Sequence, residues 1–328
     1  MKQAIIDALD TLRKRDLADK QPFKARAYAT VIAQLKQYPN EIRSYEDVAS
    51  IKGIGDKISL KIKEILETGQ LQSAEKAKAA YNIDALDAFQ KIYGIGPAKA
   101  ATLIEAGITG IEQLRIALKE NPKLLNDKQK IGLLYYEDLL ERIPREEMDH
   151  HSALLHSYAL RNKISEIDIV GSYRRATVSS GDIDVLIRTS DSKQLHSMVE
   201  MLIAAKYIEQ VLALGLHKCM AICRLPGQKA RRLDLLVTPD HEYAYALLYF
   251  TGSDRFNVAF RQHALEKGYT LNEARLLKVV EDKKEVPAMK TEKDIFAFLG
   301  LRYIEPSHRV DGSQIIRIRK RPVVAAKE

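Results

Sequence analysis

The hydrophobic periodicity of this chain changes once, near Arg142-Ile143-Pro144, and that change restricts the fold more than any other feature. From Lys2 to about Leu140 apolar residues recur at helical spacing, as in Ile5, Ala8, Leu9 and Leu12, and again in Tyr28, Val31, Ile32 and Leu35. Tyr38-Pro39-Asn40, Gly53-Ile54-Gly55, Thr68-Gly69, Gly94-Ile95-Gly96-Pro97 and Asn121-Pro122 read as turns between short helices, and strand-like runs are absent there. Beyond Pro144, β-type runs occur at Glu166–Gly171, Ile183–Arg188, Cys219–Leu225 and Arg232–Thr238. Amphipathic helices are expected between them, at about Arg145–Asn162 and Ser192–Ala205, the second capped by Asp191 or Ser192. The expectation is an α+β multidomain protein, all-helical first and mixed sheet with helices after. Its 328 residues exceed what one core usually serves.

Lys and Arg outnumber Asp and Glu by 52 to 44, which favours a polyanionic partner without naming it. Residues 1–80 carry 15 basic against 11 acidic side chains, half of the excess, so the amino-terminal part is the better phosphate-facing surface. With only Cys219 and Cys223, neither a disulfide framework nor a four-thiolate zinc site can form. His217 precedes them without a metal-ligand spacing, and the two thiols are expected to pack as small apolar groups on one face of a strand. No apolar run approaches the roughly 18 residues of a membrane span. A soluble intracellular protein without a membrane partner is expected, nuclear in a eukaryote and otherwise cytoplasmic or virion-borne. The basic run Arg317–Pro322 reads either as a nuclear-import signal or as a solvated tail.

A repeat lies in the helical half. Ile51-Lys52-Gly53-Ile54-Gly55 and Ile92-Tyr93-Gly94-Ile95-Gly96 share one pattern, each flanked by helical sequence. That excludes a strand-first dinucleotide fingerprint and leaves a helix-hairpin-helix reading. Gly53, Gly55, Gly94 and Gly96 would let the backbone approach a DNA phosphate while the next helix presents its unpaired N–H groups.

The densest chemistry follows in Gly171-Ser172-Tyr173-Arg174-Arg175 and Gly181-Asp182-Ile183-Asp184. Alternation along a strand would put Asp182 and Asp184 on one face, able to share a divalent cation. Asp234 interrupts the apolar run Leu233–Val237, where a carboxylate is costly unless paired or metal-bound. Three convergent carboxylates suit two-metal phosphoryl transfer with Mg²⁺.

These motifs, with Arg232-Leu233-Asp234, Leu248-Tyr249-Phe250-Thr251-Gly252-Ser253-Asp254, Arg142-Ile143-Pro144-Arg145 and His263-Ala264-Leu265-Glu266-Lys267-Gly268, resemble the signature set of family X DNA polymerases, in the beta-type layout. The similarity runs from about residue 5 to 306. It implies DNA-directed gap-filling synthesis in base excision repair by a monomer acting on gapped or nicked DNA and deoxynucleoside triphosphates. Two Mg²⁺ ions, replaceable by Mn²⁺, and a monovalent cation (Na⁺ or K⁺) at the hairpin turns are the implied cofactors. The implied divisions are a 5′-deoxyribose phosphate lyase domain at 1–80, a second hairpin-bearing DNA-binding subdomain at 81–142, a catalytic palm at 143–240 and a nucleotide-selecting subdomain at 241–328.

Residue by residue, the resemblance gives Asp182 and Asp184 to both metals and Asp234 to the catalytic one. Ser172, Arg175 and Gly181 would hold the nucleotide phosphates with Arg142 nearby, while Tyr249, Phe250 and Gly252 would line its sugar and Asp254 and Asn257 its base. Arg232 and Arg261 would contact DNA. The position matching Lys61 would attack an abasic sugar, assisted by Lys24, Tyr28 and Lys57; a Schiff base needs a neutral amine, which nearby positive charge favours. Two departures, Leu236 where an arginine is frequent and Ala274 where a tyrosine is, leave fidelity and sugar selectivity open. Two further readings stand beside this one: a template-independent nucleotidyltransferase, and a non-catalytic binder of DNA gaps or ends.

Overall fold

The computed structural model describes residues 1–318 apart from positions 20, 39, 50 and 52. The chain divides into two compact units, Met1–Tyr136 and Glu137–Glu328. The part of the basic tail from Arg319 onward, and Pro39 and Lys52 of the motifs above, lie outside the described residues.

The first unit is helical: α1 (Lys2–Ala18), α2 (Pro22–Gln37), α3 (Asp56–Thr68), α4 (Gln72–Tyr81), α5 (Ile83–Gln90), α6 (Pro97–Glu105), α7 (Ile111–Glu120) and α8 (Asp127–Leu134). The apolar spacing read from sequence is the burial pattern, since Ile5, Leu9 and Leu12 of α1 meet Val31 and Leu35 of α2 and Ile58, Ile62 and Ile65 of α3 in one core. A second core gathers Leu86 and Phe89 of α5, Leu103 of α6, Leu114 of α7 and Leu133 of α8. The last of these helices starts in a capping box in which Asn126 accepts from the Gln129 amide and Gln129 from the Asn126 amide.

The two glycine turns have the same backbone shape. Gly53 and Gly94 take φ of 99° and 83°, in the left-handed region open to glycine. Gly55 and Gly96 then cap α3 and α6 with φ near −90° and ψ 177°, and no side chain caps either helix. One expectation needs correction: the segment before the first turn is a run of turns at 46–49, not a regular helix.

The second unit begins with α9 (Tyr136–Leu140) at its edge, β1 (Ile143–Pro144), α10 (Arg145–Arg161), β2 (Ile167–Ile169), α11 (Gly171–Arg174), β3 (Ser179–Ser180) and β4 (Ile183–Arg188). It continues through α12 (Ser192–Ala204), β5 (Ile208–Leu214), β6 (Lys218–Arg224), β7 (Ala230–Thr238), α13 (Asp240–Thr251), α14 (Asp254–Glu266), β8 (Tyr269–Leu271), β9 (Leu276–Lys278) and α15 (Glu292–Phe298). Five strands form a mixed sheet of order β2-β4-β7-β6-β5, with β4 and β7 parallel. Ile183, Val185 and Ile187 of β4 and Leu233, Leu235 and Val237 of β7 face a core shared with Leu155 of α10 and Leu195 and Met198 of α12. The opposite face carries Leu186 and Leu236, packed under Tyr243, Ala246 and Phe250 of α13. Cys219 and Cys223 lie buried on the core face of β6, as expected, and burial raises their thiols to about 11 and about 12. A third core, around Phe256, Phe260 and Phe296, joins α14 to α15. Among the described residues no helix is long and apolar enough to cross a membrane.

Candidate active site

Asp184 and Asp234 are register partners on the adjacent parallel strands β4 and β7. By alternation they share the face that carries Leu186 and Leu236, so the two carboxylates sit together at one end of a sheet whose other face is sealed in the core. Asp182 is not on the strand, as alternation had suggested; it occupies the bend just before β4. Burial, and next the neighbouring Asp234 charge, raise the Asp184 carboxyl to about 6, against the opposing influence of Lys218 and Arg175.

Cations hold the other two aspartates. Arg232 pairs with Asp182, and the Lys218 ammonium lies 2.8 Å from Asp234 Oδ2. Asp234 Oδ1 is buried without a hydrogen-bond partner, and the Arg232 Nε stands 3.9 Å away. As these side chains lie, no group of three His, Cys, Asp or Glu among the described residues is gathered as a ready metal-ligand set. The donors nonetheless suit a hard divalent cation: they are carboxylate oxygens, one orphaned and one on a group that burial pushes toward protonation. Lys218 was not singled out from sequence, and nothing in its local pattern could have done so. It reaches Asp234 only because β6 pairs with β7.

The Gly171-Ser172 turn closes against Asp184. Gly171 has φ of 59°, and a β-carbon there would lie 2.8 Å from Asp184 Oδ2, so only glycine lets the backbone pass. The Val170 amide donates to the Asp184 carbonyl at 2.9 Å, tying the turn to β4. Ser172 follows in the short helix α11, half-buried. Arg175 donates to the Thr251 carbonyl at 2.6 Å, in electrostatic reach of both Asp184 and Asp254, and burial makes its guanidinium less basic than usual. Gly252 abuts it, a β-carbon there falling 3.1 Å from its Nη1. Arg142 donates to the Ser179 hydroxyl at 2.7 Å and carbonyl at 2.6 Å, beside Gly181.

Tyr249 and Phe250 meet edge to face, centroids 5.1 Å apart. Phe250 packs partly on the sheet, whereas the Tyr249 carbonyl accepts from Asn257 Nδ2 at 2.7 Å and its ring lies 5.4 Å from the Arg261 guanidinium. Asp254 opens α14, which Ser253 caps by accepting from the Phe256 amide. Sequence reasoning also missed Glu292. This buried carboxylate accepts from Arg174 at 2.9 and 3.1 Å and from the fully buried Arg309 at 2.6 Å, joining α11 to α15. Of the two departures, Leu236 fills the apolar face under α13, and the Ala274 amide caps onto Asn272 Oδ1.

In the first unit, Lys24, Tyr28, Lys57, Gly53 and Gly55 line one open cavity of about 520 Å³, with Arg15 and Asp16. Burial, and then the Asp16 charge, raise the Tyr28 phenol above its usual value. Lys61 is not among the lining residues: it lies one turn along α3, its ammonium 3.2 Å from the Lys57 carbonyl.

Comparison with known proteins matches residues 1–71 to a helix-hairpin-helix domain and 87–140 to the fingers domain of DNA polymerase lambda. Residues 142–240 match the DNA polymerase beta palm and 246–310 the DNA polymerase beta thumb. DNA polymerase lambda of Rattus norvegicus is 33% identical over 325 residues, covering 93% of this chain and 56% of that protein. DNA polymerase lambda of Arabidopsis thaliana is 30% identical over 308 residues, covering 86% and 57% respectively. The chain thus spans a little over half the length of these relatives. Helix-hairpin-helix, fingers, palm and thumb follow one another in the order of the chain, and the palm match contains the paired aspartates: the chain belongs to the family X DNA polymerases.

Proposed function

We propose that this chain is a DNA-directed DNA polymerase that fills short gaps during base excision repair, with a 5′-deoxyribose phosphate lyase in residues 1–80. The observation that carries the polymerase reading is the register of Asp184 with Asp234, with the Gly171-Ser172 turn closed against Asp184. Asp182, Asp184 and Asp234 are the residues that would hold divalent cations, Mg²⁺ or Mn²⁺. Such ions, when bound, lower the pKa of an attacking hydroxyl and offset charge on the transferred phosphoryl. Asp234 is assigned to the catalytic metal and to helping deprotonate the primer 3′-hydroxyl. Ser172, Arg175, Gly181 and Arg142 form a polar rim for the triphosphate, in which the guanidinium groups neutralise charge and Gly181 keeps a β-carbon out of its way. Tyr249, Phe250 and Gly252 form the wall for the sugar, with Asp254 and Asn257 toward the base and Arg261 toward the template. Residues 81–142 are assigned as a DNA-gripping part, 143–240 as the palm and 241–328 as the nucleotide-selecting part.

The lyase reading rests on the cavity that gathers Lys24, Tyr28 and Lys57 next to the first hairpin. Lys61 is assigned as the nucleophile. Its neutral amine adds to the aldehyde of the opened sugar, water leaves to give the imine, loss of the C2′ proton expels the 3′-phosphate with its DNA strand, and water then hydrolyses the imine to free the unsaturated sugar-phosphate and the amine. A monovalent cation, Na⁺ or K⁺, is assigned to the carbonyls of the hairpin turns.

One substrate tests both activities: a one-nucleotide gap carrying a 5′ sugar-phosphate, with and without Mg²⁺. Extension by the complementary nucleotide alone, together with release of the sugar-phosphate, is expected. Asp234→Ala should lose synthesis while keeping gap binding, and a variant that still extends primers would refute the metal assignment. Indiscriminate tailing of a single strand would replace templated synthesis with terminal transfer.

A further inference from the structure

Lys218 opens β6, and in the antiparallel pairing with β7 it stands across from Leu236 while Met220 stands across from Asp234. Paired residues share a face, so Lys218 is a diagonal neighbour of Asp234 on the face that carries the aspartates. Its side chain is 45% exposed whereas that of Asp234 is 8% exposed, and the ion pair between them spans 2.8 Å. The ammonium therefore reaches in from solvent to a carboxylate that cannot itself move out.

The charges around it are unequal. Asp182 has Arg232, and Asp234 has Lys218 at 2.8 Å on one oxygen and, on the other, no hydrogen-bond partner but the Arg232 Nε at 3.9 Å. Asp184 has no ion-pair partner among the described residues, only the more distant influence of Lys218 and Arg175. Three carboxylates around one sheet end would repel one another strongly without these cations. A divalent ion bound through Oδ1 of the same carboxylate would set a repelling double charge beside the ammonium on Oδ2, so the Lys218 contact and a bound metal oppose each other. Lysine also suits reversible occupancy better than arginine does. It holds through a point charge on a flexible stem, without a bidentate fork.

Resting on the metal-site reading above, we propose that Lys218 is the resident counter-cation of that site: it neutralises Asp234 in the metal-free protein and is displaced from it when a divalent cation binds. Lys218 is thus a positioning residue that sets metal affinity by competition and keeps the empty site from destabilising the sheet. Loss of the Lys218 contact at Asp234 accompanies entry of the ion.

The test is Mn²⁺ binding to the full chain without DNA or nucleotide, read from the loss of the free-ion electron paramagnetic resonance signal. Lys218→Met should bind Mn²⁺ about fivefold more tightly, the scale of one half-exposed ion pair, and Lys218→Arg should bind no more tightly than the parent. Asp234→Asn should weaken binding by more than about tenfold, having lost a charged ligand. Unchanged affinity in Lys218→Met with weakened binding in Asp234→Asn overturns the counter-cation role and leaves the metal site standing. Unchanged affinity in Asp234→Asn overturns the metal site, and this inference with it. Thermal unfolding gives a second readout. In EDTA, Lys218→Met should melt below the parent, and Mn²⁺ should remove that deficit; a deficit that Mn²⁺ leaves intact would mark Lys218 as an ordinary structural ion pair.

Discussion

Gly171 and Asp184 approach so closely that a β-carbon on the first would lie 2.8 Å from the carboxylate of the second, inside any ordinary contact distance. The turn that begins the Gly-Ser motif and the strand that bears the aspartate are fitted to each other through the absence of one side chain. Gly171→Ala should cost about 1 kcal/mol of stability for its left-handed backbone. It should also push Asp184 aside and lower turnover by about 100-fold, the usual effect of misplacing a reacting group by an ångström. Steady-state kinetics on a gapped duplex check this, and near-parental kcat would show that the carboxylate relaxes harmlessly.

Glu292 is the counter-charge of two guanidinium groups. Glu292→Gln leaves Arg309, which is fully buried among Phe256, Phe296 and Tyr303, without a carboxylate. A loss of about 3–5 kcal/mol is expected, as for other broken buried ion pairs. Urea unfolding measures it, and a change below about 1 kcal/mol, the scale of an exposed pair, would indicate that water replaces the lost charge.

His151 gives the palm an acid-sensitive element. Burial pushes its imidazole from 6.5 down to about 4, and Nδ1 lies 2.7 Å from the Tyr207 hydroxyl. In that interval the unfolded chain binds a proton that the folded chain excludes, so the contribution is complete above about pH 6.5 and is lost as pH falls toward 4. It amounts to at most about 3 kcal/mol. His151→Met should flatten the fall in unfolding free energy across this window; an unchanged slope would assign it to other groups.

In the first unit, Lys61→Ala should reduce borohydride trapping on an incised abasic site by more than about 100-fold, as expected for loss of a covalent nucleophile. Lys57→Ala, which removes a cavity-lining ammonium, should reduce it by less than about tenfold. The reverse order would make Lys57 the attacking residue.

Much of this was legible in the sequence because it depends on local rules. Helical spacing read the first unit as a set of short helices, and the glycine repeat returned as two turns of matching backbone angles. Apolar runs marked β4, β6 and β7 to within a few residues, since strands covered on both faces must be nearly continuous in hydrophobic residues. The cysteines behaved as core methyl-sized groups for the same local reason.

Other relationships have no local signature. That Asp184 and Asp234 are register partners follows from β4 pairing in parallel with β7 across a long connection. The position of Lys218 on Asp234 follows from β6 pairing with β7, and the convergence of Arg174 and Arg309 on Glu292 from the packing of α15. Asp182 fell outside its strand because strand limits depend on which neighbour supplies hydrogen bonds, not on alternation alone. Sequence by itself determined the helical first part, the strands β2, β4, β6 and β7 and the helices α10 and α12, but not β5, β8 or β9; it also determined the glycines that the turns need and the residue types able to do phosphoryl-transfer chemistry. Only tertiary structure decided which charges face one another, because Coulomb and desolvation terms depend on distances and burial that exist only once non-local strands and helices have met.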